Sequence, residues 1–497
     1  MNGTTTAETL ALVKDALANG QPDAMGKAIT TGTGLLAYDL QASAKNLYPA
    51  ATPIRNVLPR VGGGTGAATN WRQVNAIIGS GWDAMGWVPE GQRSGRMSYS
   101  TSTRSASYAT VGEEDSVTFE AVSAAQGFED IQATATMRLL QKMMLKEENA
   151  FIGGNGSLQL GTPPTPALSA AGSGGTLPAA TYSVIVVALT YEGYRNSSLS
   201  AGVATTRSIT GADGASFTLN GGSSATSANA TQAVTSGQTL SASVTAVVGA
   251  VGYAWFVGSS GSEKLQAITT INSAAFSAPL SATGQAASAI AADCSANPGL
   301  AYDGLLTSAL KSSSGAYVSY LATGTAGTGT ALSASGRGSV NEIDLMLEKM
   351  WDLYQVSPTV LYVNSQEQRN ITNKVLSNAS SPLLRFTTDG QDPFAIVANG
   401  VVEYYYNPFA LDGGYKIPVK IHPFAPAGTI LGWADNLPAQ YQSSNVPNVA
   451  EVKTRRDYYR MDWPLKTRAY EFGVYAEEVL AVYAPFAMGV ISNIANG

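Results

Sequence analysis

Charge is scarce in this sequence of 497 residues. Asp, Glu, Lys and Arg together make up 13% of it, about half the share in an ordinary soluble protein. A surface so poor in charge is covered by small neutral side chains or is buried against partners. Histidine and cysteine occur once each, as His422 and Cys294. That excludes a multi-histidine metal site, an intrachain disulfide, a CxxC redox pair and a thiolate zinc cluster. Lys and Arg total 29 against 35 Asp and Glu, a formal charge of −6, so no general basic field holds a polyanion. Long apolar runs are missing too: 183–189 is too short to span a bilayer, and Pro485 interrupts 479–491. The start, Met1-Asn2-Gly3-Thr4-Thr5-Thr6, has neither a basic nor an apolar region. This predicts no signal peptide and synthesis in the cytoplasm. Between Lys45 and Lys142 there is no lysine.

What is present changes character along the chain. Residues 7–18 read as a short helix with Thr6 as cap, and 20–60 as an extended arm that is ordered only by lying on something else. From 61 to 110 a glycine-rich start (62–66), three tryptophans and an alternating return stretch predict a long two-stranded β excursion. A strand at 113–123 follows, then a helix over 128–151. That helix carries the stripe Phe128, Ile131, Ala135, Leu139 and Met143, with Lys142 and Lys146 late. Between Leu158 and Leu300 the only charged residues are Glu192, Arg195, Arg207, Asp213, Glu263, Lys264 and Asp293. Short strand-like runs separated by Gly, Ser and Asn predict an all-β sandwich there. Charge and helix return after 300, with helices at 339–354 and 365–378 around a strand at 359–364. The tail reads as strands at 449–459 and 468–482.

This order of parts resembles the major capsid proteins of tailed bacteriophages, of the HK97-like fold. Trp87-Val88-Pro89-Glu90-Gly91 is similar to the family's W-x-x-E-G element. Glu147-Glu148 with Gly154 and Gly156 is similar to its E-E-x-x-x-x-x-G-x-G. Tyr302-Asp303-Gly304-Leu305 is similar to its F-x-G-L, and Glu477-Glu478 before Leu480-Ala481-Val482 and Pro485-Phe486-Ala487 to its closing motif. The resemblance implies an α+β fold: an N-terminal arm (1–58), an E-loop hairpin (59–110), a P-domain strand and spine helix (111–157), an A-domain (301–445) and P-domain return strands (446–497). The segment 158–300 is then an insertion, whose strands at 181–184 and 252–257 look like those of an immunoglobulin or fibronectin-type sandwich. The function implied is self-assembly, in hexamers and pentamers, into an icosahedral shell around double-stranded DNA, inside the host bacterium and then as the virion. It needs no cofactor, metal, membrane or catalytic residue. A separate scaffolding protein and a portal are the implied partners, and a cement protein is compatible with them. An encapsulin-type compartment enclosing an enzyme shares the fold and is the alternative.

Some members of the family cross-link through an E-loop lysine. Its absence here predicts a non-covalent shell. Trp71, Trp82, Trp87 and Glu90 are the candidate hairpin anchors against neighbouring copies, with core residues of an ordinary domain as the other reading of the tryptophans. Phe128, Ile131, Leu139 and Met143 are the candidate spine residues. The basic cluster Lys453, Arg455, Arg456 and Arg460 either makes loose, non-specific contact with DNA or pairs with carboxylates such as Glu113, Glu114 and Asp115 between subunits. The interleaved Glu451, Asp457 and Asp462 favour the second. The insertion reads as an outward decoration whose removal leaves assembly possible. His422 reads as a structural histidine without a matching partner. The glycine run 62–66 lacks the strand–turn–helix of a dinucleotide loop.

Overall fold

The computed structural model describes residues 51–78, 86–126, 129–172, 174–312, 314–335, 339–377, 402–410, 414–438, 441 and 448–495. The expected helix at 7–18, nearly all of the arm, Trp82 and Phe128 lie outside these residues.

The chain enters through a short turn and strand β1 (Arg60–Val61), then makes a hairpin of β2 (Ala68–Ile78) and β3 (Ser98–Ser107), antiparallel from Ala68↔Ser107 to Ile78↔Ser98. Strand β4 (Ala109–Thr118) follows without a break. The strand expected over 113–123 stops at Thr118, because the Thr118 hydroxyl accepts from the Ala121 N–H and caps helix α1 (Phe119–Ala125). Helix α2 (Ile131–Gly153) is the long helix. Asp130 caps it, accepting from Gln132 and Ala133 N–H at 3.2 and 3.1 Å, so the acidic start acts as a cap, not as part of the first turn. No basic residue occupies its last turn. Lys146 reaches sideways to Glu113 instead, at 2.5 Å.

The next strands are β5 (Ala167–Ala171), β6 (Ala180–Leu189), then helix α3 (Tyr191–Asn196), β7 (Thr206–Thr210), β8 (Ser216–Asn220), β9 (Ala230–Val234), β10 (Thr239–Ser243), β11 (Gly252–Gly258), β12 (Lys264–Thr269) and β13 (Ser273–Phe276). They pair only with one another: β12-β11-β6-β9 in one sheet, β13-β10-β5 in a second, and β7-β8 as a hairpin. Val184, Val186 and Trp255 from the first sheet meet Leu240, Ala242 and Phe276 from the second in one apolar core. Val187, Leu189 and Phe256 pack on the opposite side against Val203 and Ile290. Strands β6 and β11 are therefore buried on both faces, which is why they read as continuous apolar runs.

Beyond the sandwich come α4 (Leu305–Leu310), β14 (Tyr317–Tyr320), β15 (Ala334–Ser335), β16 (Ser339–Val340), α5 (Asn341–Tyr354), β17 (Val360–Val363), α6 (Ser365–Ser377), β18 (Tyr404–Asn407), β19 (Tyr415–Ile421), β20 (Ile430–Trp433), β21 (Ala450–Asp462), β22 (Ala469–Val482) and β23 (Met488–Ser492). One sheet has the order β14-β23-β20-β17-β19-β18 and is covered by Ile343, Met346, Leu347 and Met350 of α5. The other has the order β1-β21-β22-β4 and is covered by Ala135, Leu139 and Met143 of α2 on Val117, Phe472, Val474 and Ala476. The expected set of return strands at 446–497 is thus divided. Strands β21 and β22 join the helix-covered sheet, whereas β23 turns after Pro485 into the six-stranded one, pairing with β20 from Ile430↔Ile491 to Trp433↔Met488. The fold is mixed α+β, mostly sheet with few helices.

Gly154, Gly156 and Gly304 of the sequence motifs have one cause. The returning segment 301–304 crosses the end of α2 at backbone contact. A Cβ on Gly304 would stand 2.6 Å from the Ala150 carbonyl oxygen, one on Gly154 2.6 Å from that of Tyr302, and one on Gly156 would collide with Ala301. The Gly304 N–H donates to the Gly154 carbonyl at 2.8 Å, which closes the seam.

Candidate assembly surfaces and the buried junction behind them

The described part of the hairpin is rooted at its 64–66 end. Gly64 N–H donates to the Thr454 carbonyl at 3.0 Å, and the Arg455 guanidinium reaches the Gly66 carbonyl at 2.9 Å. Trp71 sits just above this root, half-buried, with its ring edge on Tyr483 at 5.3 Å. Beyond it, several described side chains of the ribbon face water. Val74, Met97 and Tyr99 are exposed, and Trp87 is 88% exposed. Val88 and Glu90 are exposed as well. The structure therefore separates the two described tryptophans: Trp71 packs on its own chain, and Trp87 is exposed. A two-stranded ribbon alone is marginal in water.

The helix stripe is core. Leu139 and Met143 are buried against the chain's own sheet, with Ile131 half-buried at its edge. This corrects their reading as assembly residues: the apolar side chain that α2 offers outward is Met137, 65% exposed.

Three of the four residues of the basic cluster pair with carboxylates of their own chain. Lys453 pairs with Glu451 at 3.2 Å, Arg455 with Glu477 at 2.5 Å and Arg460 with Asp462 at 2.8 Å. Arg456 lies over the Tyr459 ring at 4.6 Å. The Arg455 guanidinium holds the Glu477 carboxyl below its ordinary range. Nor do the acidic partners expected between subunits stand free: Glu113 is taken by Lys146, and Glu114 accepts from the Tyr475 hydroxyl.

Behind these surfaces lies an ionic junction that motif letters alone did not reveal. Glu147 and Glu148 near the end of α2, and Glu478 on β22, have fully buried side chains. Glu148 accepts the backbone N–H groups of Ile54 at 2.9 Å and Arg55 at 2.7 Å, and meets His422 Nε2. His422 Nδ1 accepts from the Phe424 N–H at 3.1 Å, so the hydrogen is on Nε2 and points at Glu148. The expectation that His422 has no matching partner is overturned. Glu147 Oε2 accepts from Arg55 Nε at 2.7 Å, more weakly from Arg60 at 3.5 Å, and from the Tyr458 hydroxyl. Arg60 also holds Asp457 at 2.7 Å and Glu478 at 3.0 Å, and the Tyr302 hydroxyl binds the other Glu478 oxygen at 2.8 Å. Five segments distant in sequence are joined here: 54–60, the end of α2, Tyr302, His422 and the β21–β22 pair. Burial, then the neighbouring Glu147, raises the Glu478 carboxyl to about 7 against the pull of Arg60. Among the described residues no group of His, Cys, Asp and Glu is placed to hold a metal ion.

No protein-family model matches the chain, and no curated protein matches it. Several solved structures are similar to it. The capsid of a native GTA particle covers 93% of this chain and 97% of its own, at 10% identity and a TM-score of 0.40. The capsid of the Cyanophage A-1(L) covers 94% and 99%, at 13% identity and a TM-score of 0.40. The holo-SrpI encapsulin complex from Synechococcus elongatus PCC 7942 covers 94% and 95%, at 8% identity and a TM-score of 0.40.

Proposed function

We propose that this chain is the major capsid protein of a tailed double-stranded DNA phage, working mechanically as the repeated tile of a closed icosahedral shell. The observation that carries the reading is the hairpin. Strands β2 and β3 project from the root at 64–66 and leave Val74, Trp87, Val88, Met97 and Tyr99 in water. Aromatic and apolar side chains so arrayed are anchors for a partner surface. The partner is another copy, because a tile must bury its projecting parts on its neighbours. The motif residues add to this: Arg55 links Glu147 to Glu148, Arg60 links Glu147 to Glu478, and Glu478 holds Tyr302, so the elements they mark are tied together. The missing lysines between 46 and 141 make the shell non-covalent. Pairing of Lys453, Arg455 and Arg460 with their own carboxylates leaves weak contact with the genome. A separate scaffolding protein and a portal complete the assembly.

Electron microscopy of the expressed full-length protein tests the proposal. Closed shells of uniform diameter are expected, and boiling in SDS should return the single chain. A monodisperse monomer at high concentration would refute it. Shells filled with protein cargo and free of DNA would move the assignment to an encapsulin.

A further inference from the structure

The junction is short of positive charge. Glu147, Glu148 and Glu478 are fully buried, and Asp457 at the rim is half-exposed. Facing these four carboxylates are two guanidinium groups, Arg55 and Arg60. His422 adds no positive charge, because its Nδ1 is occupied as an acceptor. Tyr302 and Tyr458 supply hydroxyls only. Glu147 and Glu478 share the Arg60 guanidinium, and among the described residues neither Glu147 Oε1 nor Arg60 Nε has a hydrogen-bond partner. Glu147 also has Arg55, whereas Glu478 has only Arg60, which it shares with Glu147 and Asp457; a buried carboxylate with a shared cation does not ionise freely.

We propose that the junction stores one proton on Glu478, donated to the Tyr302 hydroxyl, and that losing it loosens the seam between helix α2, the 301–304 segment and strand β22. Here the Tyr302 hydroxyl donates to Glu478 Oε1; a hydroxyl also accepts, so turning its hydrogen away lets Tyr302 serve the protonated carboxyl with the ring in place. Glu148 is satisfied by three donors and is not the site. Glu147 has Arg55, Arg60 and Tyr458 on one oxygen and is the neighbouring carboxylate that Glu478 faces. The raised Glu478 carboxyl agrees with this. The sign follows. Once the seam opens, Glu478 titrates near its ordinary 4.5, whereas in the closed seam it holds its proton to about 7. The closed form thus binds more protons in between, and its advantage falls as pH rises through that window.

Hydrogen exchange on the full-length protein tests this locally. Global melting would mix in Glu192, Glu367 and Asp435, buried acids that are also raised. The reporters are peptides covering 147–156 and 301–306, which include the Gly304 amide bonded to Gly154. After correction for intrinsic rates, opening in the wild type should rise about tenfold from pH 6 to pH 8. Glu478→Gln, which keeps the shape and remains neutral, should abolish the rise. Glu147→Gln, which removes the neighbouring carboxylate, should move it to more alkaline pH or remove it by strengthening the seam. A wild-type seam whose corrected opening is the same at both pH values overturns the proposal, whether or not the variants fold. So does a rise that persists in Glu478→Gln.

Discussion

Asn272 and Asn493 bind each other across the joint between the sandwich and the rest of the chain. The Asn272 backbone N–H donates to the Asn493 side-chain oxygen at 2.8 Å, and the Asn493 carboxamide donates to the Asn272 side-chain oxygen at 3.1 Å. Both are buried. Asn493 also donates to the Leu321 carbonyl at 2.6 Å, and Asn272 to the Val244 carbonyl at 2.7 Å. Asn493 has φ of 64°, a left-handed conformation that Asn tolerates better than most residues. Asn493→Ala should therefore cost about 2–4 kcal/mol, from unpartnered buried groups and the backbone preference together. Asn493→Gly accepts the φ and loses only the hydrogen bonds, so it should fall between Ala and wild type. Denaturant unfolding of the three proteins checks the order.

The same joint changes the expectation for removing the insertion. Besides the asparagine pair, Tyr191 donates to Asn149 at 3.0 Å, Arg195 lies over Phe424 at 4.7 Å, and Gly327 N–H donates to Ser273 at 3.1 Å. The sandwich is thus tied both to α2 and to the strands around β23. Replacing 163–298 with a short linker should strip Asn493, Asn149 and Phe424 of these partners. It should lower the melting temperature and the soluble yield, not leave a normal tile. Thermal melting of the deletion beside the full chain is the measurement, and an unchanged melting temperature would restore the view of the insertion as a dispensable ornament.

Glu148 offers a sharper test of the junction. Its carboxylate takes two backbone N–H groups and the His422 ring, all in the interior. Glu148→Ala should cost about 3–5 kcal/mol, because it leaves those donors without acceptors. Glu148→Gln keeps one acceptor oxygen and should cost less. His422→Ala should cost less than Glu148→Ala, since Ile54 and Arg55 keep their acceptor. Chemical denaturation ranks the three.

The elements with a strong local pattern were legible in the sequence. The alternation of 97–111 gave the hairpin return, and the stripe through Ala135, Leu139 and Met143 gave α2, because burial on one face imposes its own period. Strand β4 ended early because a single hydroxyl, Thr118, caps a helix there, and a one-residue signal is drowned by the β-favouring neighbours Val117 and Phe119. The transfer of β23 to the other sheet was not legible, because pairing partners across a sheet leave no mark in local periodicity. The junction was half legible. Glu147, Glu148 and Glu478 stood out as motif letters, but Glu148 meets His422 across 274 positions, and nothing local to His422 announces a carboxylate.

The two described hairpin tryptophans should separate folding from assembly. Trp71 rests on Tyr483, so Trp71→Ala removes packing within the chain and should destabilise the isolated protein by about 1–3 kcal/mol. Trp87 is 88% exposed. Trp87→Ala should therefore leave the melting temperature of unassembled protein unchanged, within about 0.5 kcal/mol of wild-type stability. If its ring anchors a neighbouring copy, each contact loses about 2 kcal/mol or more. Because every copy in a shell repeats the loss, the critical concentration for assembly should rise by well over tenfold. Light scattering against protein concentration reads that threshold directly. A Trp87→Ala protein that assembles at the wild-type threshold would show that the exposed end of the hairpin is not an anchor.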